Sequence, residues 1–274
     1  MSEQIYFAPS EMALTASEAA LKKSKIPFRR LLVLSILAGM YIGFGGLLVV
    51  LVGTGATGLA YGLVKLIMGL VFSIGLILVV VGGAELFTGN TIVALAKAEG
   101  HISWLSLFKN WTMVYLGNFI GAIFLALLIL LSKQYTFADG AIGEVMFKIA
   151  SGKLNYSFIS ALTLGFLCNI FVCLAIWLSY SSKSTGDKIL AIIFPITAFV
   201  ALGFEHSVAN MYLLSSAWLI QIFDASFLEL HNSSQITLNQ IFVNNLLPVT
   251  IGNILGGLFI WFAYQFAYKV TYKK

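Results

Sequence analysis

Charge is what this sequence has least of. Lysine, arginine, aspartate and glutamate make up 10% of its 274 residues, against roughly a quarter in soluble domains, so a water-facing surface of ordinary size cannot be built from it. Histidine occurs only at 101, 206 and 231 and cysteine only at 168 and 173. That scarcity leaves no residues for a multi-histidine metal centre or a bis-histidine haem. The two cysteines, five apart, point to different sides of a helix, which argues against a disulfide or a metal pair, and no cofactor is expected. An apolar core is missing from the first 28 residues, so no secretory signal peptide is read there and the first span serves as targeting signal. Nothing resembling a sizeable soluble region stands beside the apolar runs, which argues against an enzyme and against a tethering or sensory protein.

What is present is apolar: 59% of the residues are hydrophobic. Six stretches, near 31–53, 63–96, 110–132, 157–180, 188–220 and 242–268, reach the ~20 residues needed to cross a bilayer, which predicts an all-α, multi-pass integral membrane protein. The second and fifth exceed the length of a straight helix through a core of about 30 Å and are read as broken. Twelve of the sixteen lysines and arginines (22, 23, 25, 29, 30, 97, 109, 183, 188, 269, 273, 274) fall in the two tails and the second and fourth connections; Lys65, Lys133, Lys148 and Lys153 fall on the other side. By the positive-inside rule both termini are cytoplasmic, in the plasma (inner) membrane. Topology and anionic lipid headgroups thus account for the net charge of +5 without nucleic acid. Residues 1–28 form a cytoplasmic segment in which Met12, Ala13, Ala16, Ala20 and Leu21 share a helical face, with Ser10 as a possible N-cap; this is either an interfacial helix or a lid. Residues 29–274 form the six-span domain.

Nine of the eleven acidic residues lie outside the strongly apolar runs. The other two, Glu85 and Glu205, occupy equivalent places in two copies of G-x-E-x-x-x-x-N, Gly83–Asn90 and Gly203–Asn210. A second echo, Asn110, Gly117, Asn118 and Gly121, recurs as Asn245, Gly252, Asn253 and Gly256 at an offset of 135. The chain is therefore a duplication, repeat one about 29–135 and repeat two about 155–270. With three spans each, the copies enter from opposite sides as inverted repeats whose broken spans meet near the midplane. Gly82, Gly83 and Gly89, and Pro195 and Gly203, weaken the helices there. Glu85, Glu205, Asn90 and Asn210 are expected to brace the breaks, with Thr88, Ser207, Asn90 and Asn210 able to cap the resumed half-helices. His206 breaks the symmetry, facing Leu86 in the other copy, and an intramembrane histidine the framework does not demand points to function.

These residues carry a family resemblance. Gly83–Asn90, then Leu167-Cys168-Asn169 with Val172-Cys173-Leu174-Ala175-Ile176-Trp177, then Gly203–Met211 resemble the formate/nitrite transporter family over nearly the whole chain. The resemblance implies an aquaporin-like protomer of six spans, a homopentamer with one pore per subunit, and passage of formate, nitrite or hydrosulfide. It further implies roles for His206 as the central pore histidine, Thr88 in the loop interrupting the second span, Lys153 as the vestibule lysine, Asn169 and Asn253 as pore asparagines, and Leu76, Phe199 and Phe72 as hydrophobic constrictions. An anion cannot cheaply cross an apolar constriction while charged, yet at neutral pH only roughly one formic acid molecule in a thousand is neutral, given a pKa of about 4. The expected mechanism therefore draws the anion in by Lys153 and couples its passage to a proton through His206. Formate leads and nitrite follows, with a hydrosulfide channel or an aquaporin-like pore for small neutral solutes as alternatives; the paired N-P-A motif of aquaporins is missing from both repeats.

Overall fold

The computed structural model describes residues 6–230 and 235–268. Glu3, His231, Lys269, Lys273 and Lys274 lie outside the described residues, as do the outermost ends of the two regions expected at 1–28 and 29–274. Among the described residues the chain is helical, without a strand, in the order α1 (Pro9–Ser24), α2 (Phe28–Gly53), α3 (Tyr61–Gly82), α4 (Phe87–Asn90), α5 (Val93–Ala98), α6 (Trp104–Leu131), α7 (Ala141–Leu154), α8 (Phe158–Tyr180), α9 (Thr185–Ala201), α10 (Ser207–Phe223), α11 (Ala225–Leu230) and α12 (Leu247–Tyr268), the last entered through a π-helical turn, Gln240–Leu246. Among the described residues α2, α3, α6, α8 and the stretch Gln240–Tyr268 are long and apolar enough to cross a membrane. Their starts are chemically marked. Pro27, which has no N–H to leave unpaired, precedes α2, and Ser103 and Ser157 accept from the backbone N–H of Ser106 and Ser160 to cap α6 and α8.

Both long apolar runs break where the repeated motif stands. α3 ends at Gly82 and α9 at Ala201, and the chain turns through Gly83 at φ 79° and Gly203 at φ 76°. A Cβ at either glycine would meet nothing within 4 Å, so it is the left-handed backbone, not space, that calls for glycine. Pro195, read above as a weak point, lies inside α9. The helix runs through it and gives way only after Ala201.

Glycine acts through space elsewhere. A Cβ on Gly121 would strike the carbonyl oxygen of Ile36, and one on Gly256 that of Phe166. The α2–α6 and α8–α12 crossings are thereby held at backbone contact, as small residues allow in lipid, where packing rather than water drives helix association.

α1 and α7, shorter than a membrane span, each lead into a spanning helix, α2 and α8. α1 starts at Pro9 with Ala8 as its N-cap residue, not at Ser10, and the Glu11 carboxylate accepts from the Ala8 N–H at 2.6 Å. Its face of Met12, Ala13, Ala16 and Ala20 is buried, packed on α5, α8 and α12. Ser17 donates to Glu99 at 2.6 Å, Gln265 of α12 donates to the same oxygen at 3.1 Å, and His101 lies 3.6 Å from the other. Ahead of the helix, Phe7 N–H donates to the Ser181 carbonyl at 3.0 Å. This is the amino-terminal face.

At the opposite, far face, α7 is held by the connection that carries the second half's extra residues. Phe227 of α11 sits edge-on to Tyr135 and stacked on Phe147, with centroids 5.4 and 6.2 Å away, over Gly143. Tyr135 donates to Asp224 at 2.7 Å.

Candidate substrate pathway

Each break is pinned by an asparagine from a neighbouring helix. Asn118 of α6 accepts from Phe87 N–H at 2.8 Å and donates to the carbonyls of Glu85 and Ser35 at 2.9 and 2.7 Å. Asn253 of α12 does the same in the other half: it accepts from Ser207 N–H at 2.9 Å and donates to the carbonyls of Glu205 and Gly165 at 2.9 and 2.7 Å. The polar backbone freed by a broken span must find partners, and these asparagines supply them. Asn253, assigned above to the pore by resemblance, thus has its side chain committed to the loop backbone.

Glu85 and Glu205 do other work than bracing the backbone, because each carboxylate faces a lysine and an asparagine. On the far face Lys153 donates to Glu205 at 2.8 Å, Asn210 donates to the second carboxylate oxygen at 2.6 Å and to Asn245 at 2.7 Å, and Asn245 returns to the Lys153 carbonyl at 3.0 Å. On the amino-terminal face Lys23 donates to Glu85 at 2.7 Å, Asn90 to the second oxygen at 2.8 Å and to Asn110 at 3.3 Å, and Asn110 to the Lys23 carbonyl at 3.2 Å. The two closed circuits are the same, built from different chain segments. They differ in two bonds: Lys23 also reaches Asn90 Oδ1 at 3.1 Å, whereas Asn210 Oδ1 is buried without a hydrogen-bond partner, and Asn245 also donates to Glu205 at 3.4 Å. A membrane-depth carboxylate is tolerated when paired in this way.

Lys23 is the residue that sequence reasoning missed. It lies in a segment read as separate from the repeat, yet it stands 130 residues before Lys153 as Asn110 stands 135 before Asn245, so the signal was there once α1 and α7 are compared. The half-helix caps also differ from expectation. α4 follows Leu86 with no side-chain cap, and α10 is capped by His206, whose Nδ1 accepts from Ala209 N–H at 3.2 Å. Thr88, Asn90, Ser207 and Asn210 lie within the half-helices themselves.

Between the circuits the two breaks meet. Thr88 Oγ1 and His206 Nε2 are 3.0 Å apart and buried. Because Nδ1 already accepts from a backbone N–H, the proton of a neutral ring resides on Nε2, directed at Thr88, whose own hydroxyl hydrogen is left free to donate. Asn169 donates to the carbonyls of Thr88 and Asn253 at 3.2 and 2.5 Å, and its Oδ1 is buried without a partner. The Phe199 ring lies 6.1 Å from the imidazole at an interplanar angle of 24°, and Phe72 meets Phe199 edge-on at 5.7 Å. Leu76 lies elsewhere, on the wall of a cavity of about 260 Å³ toward the amino-terminal face that Lys23, Glu85, Asn90 and Leu86 also line. The structure thus gathers Thr88, His206, Asn169, Phe72 and Phe199 at one place and sets Lys23 and Lys153 at opposite approaches to it. Cys168 and Cys173 are buried and free. Such a site can offer hydroxyl and imidazole donors to a small anion inside an apolar collar.

Comparison with known proteins shows the family and the fold. The family described as formate/nitrite transporter matches residues 10–267. The chain is 41% identical over 255 residues to the formate channel FocA of Escherichia coli strain K12, covering 91% of this chain and 90% of that one. It is 40% identical over 279 residues to a probable formate transporter of Methanothermobacter thermautotrophicus, covering 95% and 97%. Among solved structures it superposes on a pentameric formate channel with formate bound at a TM-score of 0.82 and 40% identity, covering 92% of this chain and 98% of that one. An aquaglyceroporin from Plasmodium falciparum, at 13% identity and a TM-score of 0.55 over 89% of this chain and all of that one, shares the fold alone. The chain is an integral membrane protein of aquaporin-like fold and belongs to the formate/nitrite transporter family.

Proposed function

We propose that this protein passes formate across the plasma membrane through a pore in each protomer of a homopentamer of six-span subunits, with the amino-terminal face cytoplasmic. The observation that carries the reading is the buried Thr88–His206 pair at 3.0 Å, set beside the Phe72–Phe199 rings where the two broken spans meet. The kinship with formate channels supports the choice of formate.

Formate arrives as an anion and meets an apolar collar that disfavours charge. Thr88 O–H donates to one carboxylate oxygen, and His206 Nε2–H to the same or the other once formate displaces Thr88 from it. Proton coupling follows from the ring's two nitrogens. When a proton from the vestibule reaches Nδ1, the Ala209 cap is lost, costing about 1 kcal/mol. The Nε2 proton then passes to formate, leaving a neutral ring and neutral formic acid able to cross the collar. The pore is thus an acid–anion exchanger at one point and a sieve elsewhere. Nitrite, also the conjugate base of a weak acid, fits the same chemistry as a second substrate.

Flux of formate into vesicles holding the purified protein, at pH 5 and pH 7, tests this. H206F is expected to remove pH-dependent uptake, and T88V to lower uptake at both pH values about tenfold. Unchanged uptake with unchanged pH dependence in H206F overturns the proton role, and a wild type that swells osmotically but carries no formate, nitrite or hydrosulfide overturns the substrate class.

A further inference from the structure

Both lysines of the pathway arrive with their counter-charge. Lys153 is paired with Glu205 at 2.8 Å and Lys23 with Glu85 at 2.7 Å, so each approach holds a compact dipole whose field falls off faster than that of a lone ion. Lys65 is different. In the opening turns of α3 on the far face, it lies within electrostatic reach of both Lys153 and Glu205, and among the described residues no carboxylate comes within ion-pair distance of it. Its ammonium stands 5.5 Å from the Tyr61 ring centroid, a contact that holds a cation without neutralising it. Tyr156, in the turn between α7 and α8, lies in the field of the same group, Glu205 and Lys153 foremost and then Tyr61. On the amino-terminal face Lys97 lies over the Trp104 ring and Lys183 over the Phe7 ring, each at 5.1 Å, but neither stands where the repeat would place a counterpart of Lys65. The 120-residue offset of the motif sets Thr185 opposite Lys65, and the 130-residue offset of the two lysines sets Ile26 opposite Tyr156.

We infer that Lys65, held over Tyr61, is a second anion-collecting site at the far mouth, with no counterpart at the equivalent place of the other repeat, which delivers small carboxylates toward Lys153 and lowers the half-saturating concentration for entry from that face. The inference rests on the formate reading above. With Lys153 paired to Glu205, Lys65 adds to the far approach a positive charge without a carboxylate at ion-pair distance. A unit charge about 10 Å from the entry path changes the local anion concentration about twofold in water, and reversing its sign changes it about fourfold. Screening at ~1 M salt, with a Debye length of about 3 Å, erases both effects.

The experiment measures formate flux through the purified pentamer in vesicles, with formate supplied from the far face or from the amino-terminal face, the orientation being assigned by protease cleavage of a terminal tag. K65Q is expected to raise the half-saturating concentration at the far face about twofold and K65E about fourfold. K65R should keep the wild-type value, maximal flux should stay within twofold in all three, and entry from the amino-terminal face should be unaltered. At ~1 M inert salt the variants and wild type should converge. If K65E leaves far-face half-saturation unchanged while wild type carries formate, the collecting role falls and the channel reading stands. Equal changes from both faces, or a change that survives high salt, also overturn it by marking a structural effect. A wild type that carries no small anion from either face overturns both.

Discussion

α1 and α7 present equivalent lysines, Lys23 and Lys153, to equivalent glutamates, Glu85 and Glu205, yet they are fastened in different ways. α7 is bolted by aromatic packing: Phe227 fills the space over Gly143 between Tyr135 and Phe147. α1 buries only small side chains and Met12 on its inner face and adds polar contacts at its edge, Ser17 and Gln265 meeting on Glu99 and Phe7 meeting Ser181. Apolar burial is non-directional and is lost only when the helix leaves, whereas each hydrogen bond exchanged with water is worth about 1 kcal/mol net.

The largest test of that contrast removes one lysine at a time. Lys153→Met leaves Glu205, 2% exposed, without its charge partner and should destabilise the protein by about 3–5 kcal/mol, read as a fall in the thermal midpoint of the purified pentamer. Lys23→Met should cost clearly less, because that lysine is 26% exposed and water reaches the vacated carboxylate. Equal losses would erase the distinction. Next, Phe227→Ala should cost about 3 kcal/mol and speed hydrogen exchange over 141–154 while leaving 9–24 unchanged. Ser17→Ala should do the reverse at about 1 kcal/mol, loosening 9–24 alone.

The smallest effect is a pH dependence confined to the far face. Hydrogen bonds from Ser226 and then Tyr135 hold the Asp224 carboxyl below its ordinary value, while burial and then that carboxylate push the Tyr135 phenol up to about 12. Asp224 therefore adds stability that is fully present above the ordinary carboxylate value of about 4 and is lost as pH falls through its lower folded value. Tyr135 adds stability present below the ordinary phenol value of about 10 and lost as pH rises through about 12. Melting of Asp224→Asn should be flatter across acid pH than wild type, by less than about 1 kcal/mol because the carboxylate is partly solvated.

The sequence made the frame legible because its cause is local. Gly83 and Gly203 announce the two breaks by a backbone conformation that few other residues adopt, and Asn118 and Asn253 repeat because the same freed backbone needs the same donor and acceptor. Partners were harder. Glu85 and Glu205 read as backbone braces because their lysines come from α1 and α7, short helices with no membrane-length apolar pattern to announce them. Likewise, nothing in the spacing reveals that His206 meets Thr88, 118 positions away; only the inverted meeting of the halves brings them to 3.0 Å.

At the Gly121–Ile36 and Gly256–Phe166 crossings, main chain rests on main chain. The span-to-span distance there is set by atoms that every amino acid shares, so the spacing of these helices does not depend on side chains at the crossing. Side chains elsewhere on these helices can change while the crossings stay where they are. The glycines are the hinge pins of that freedom, and a single alanine in place of either would cost more than most changes inside the pore.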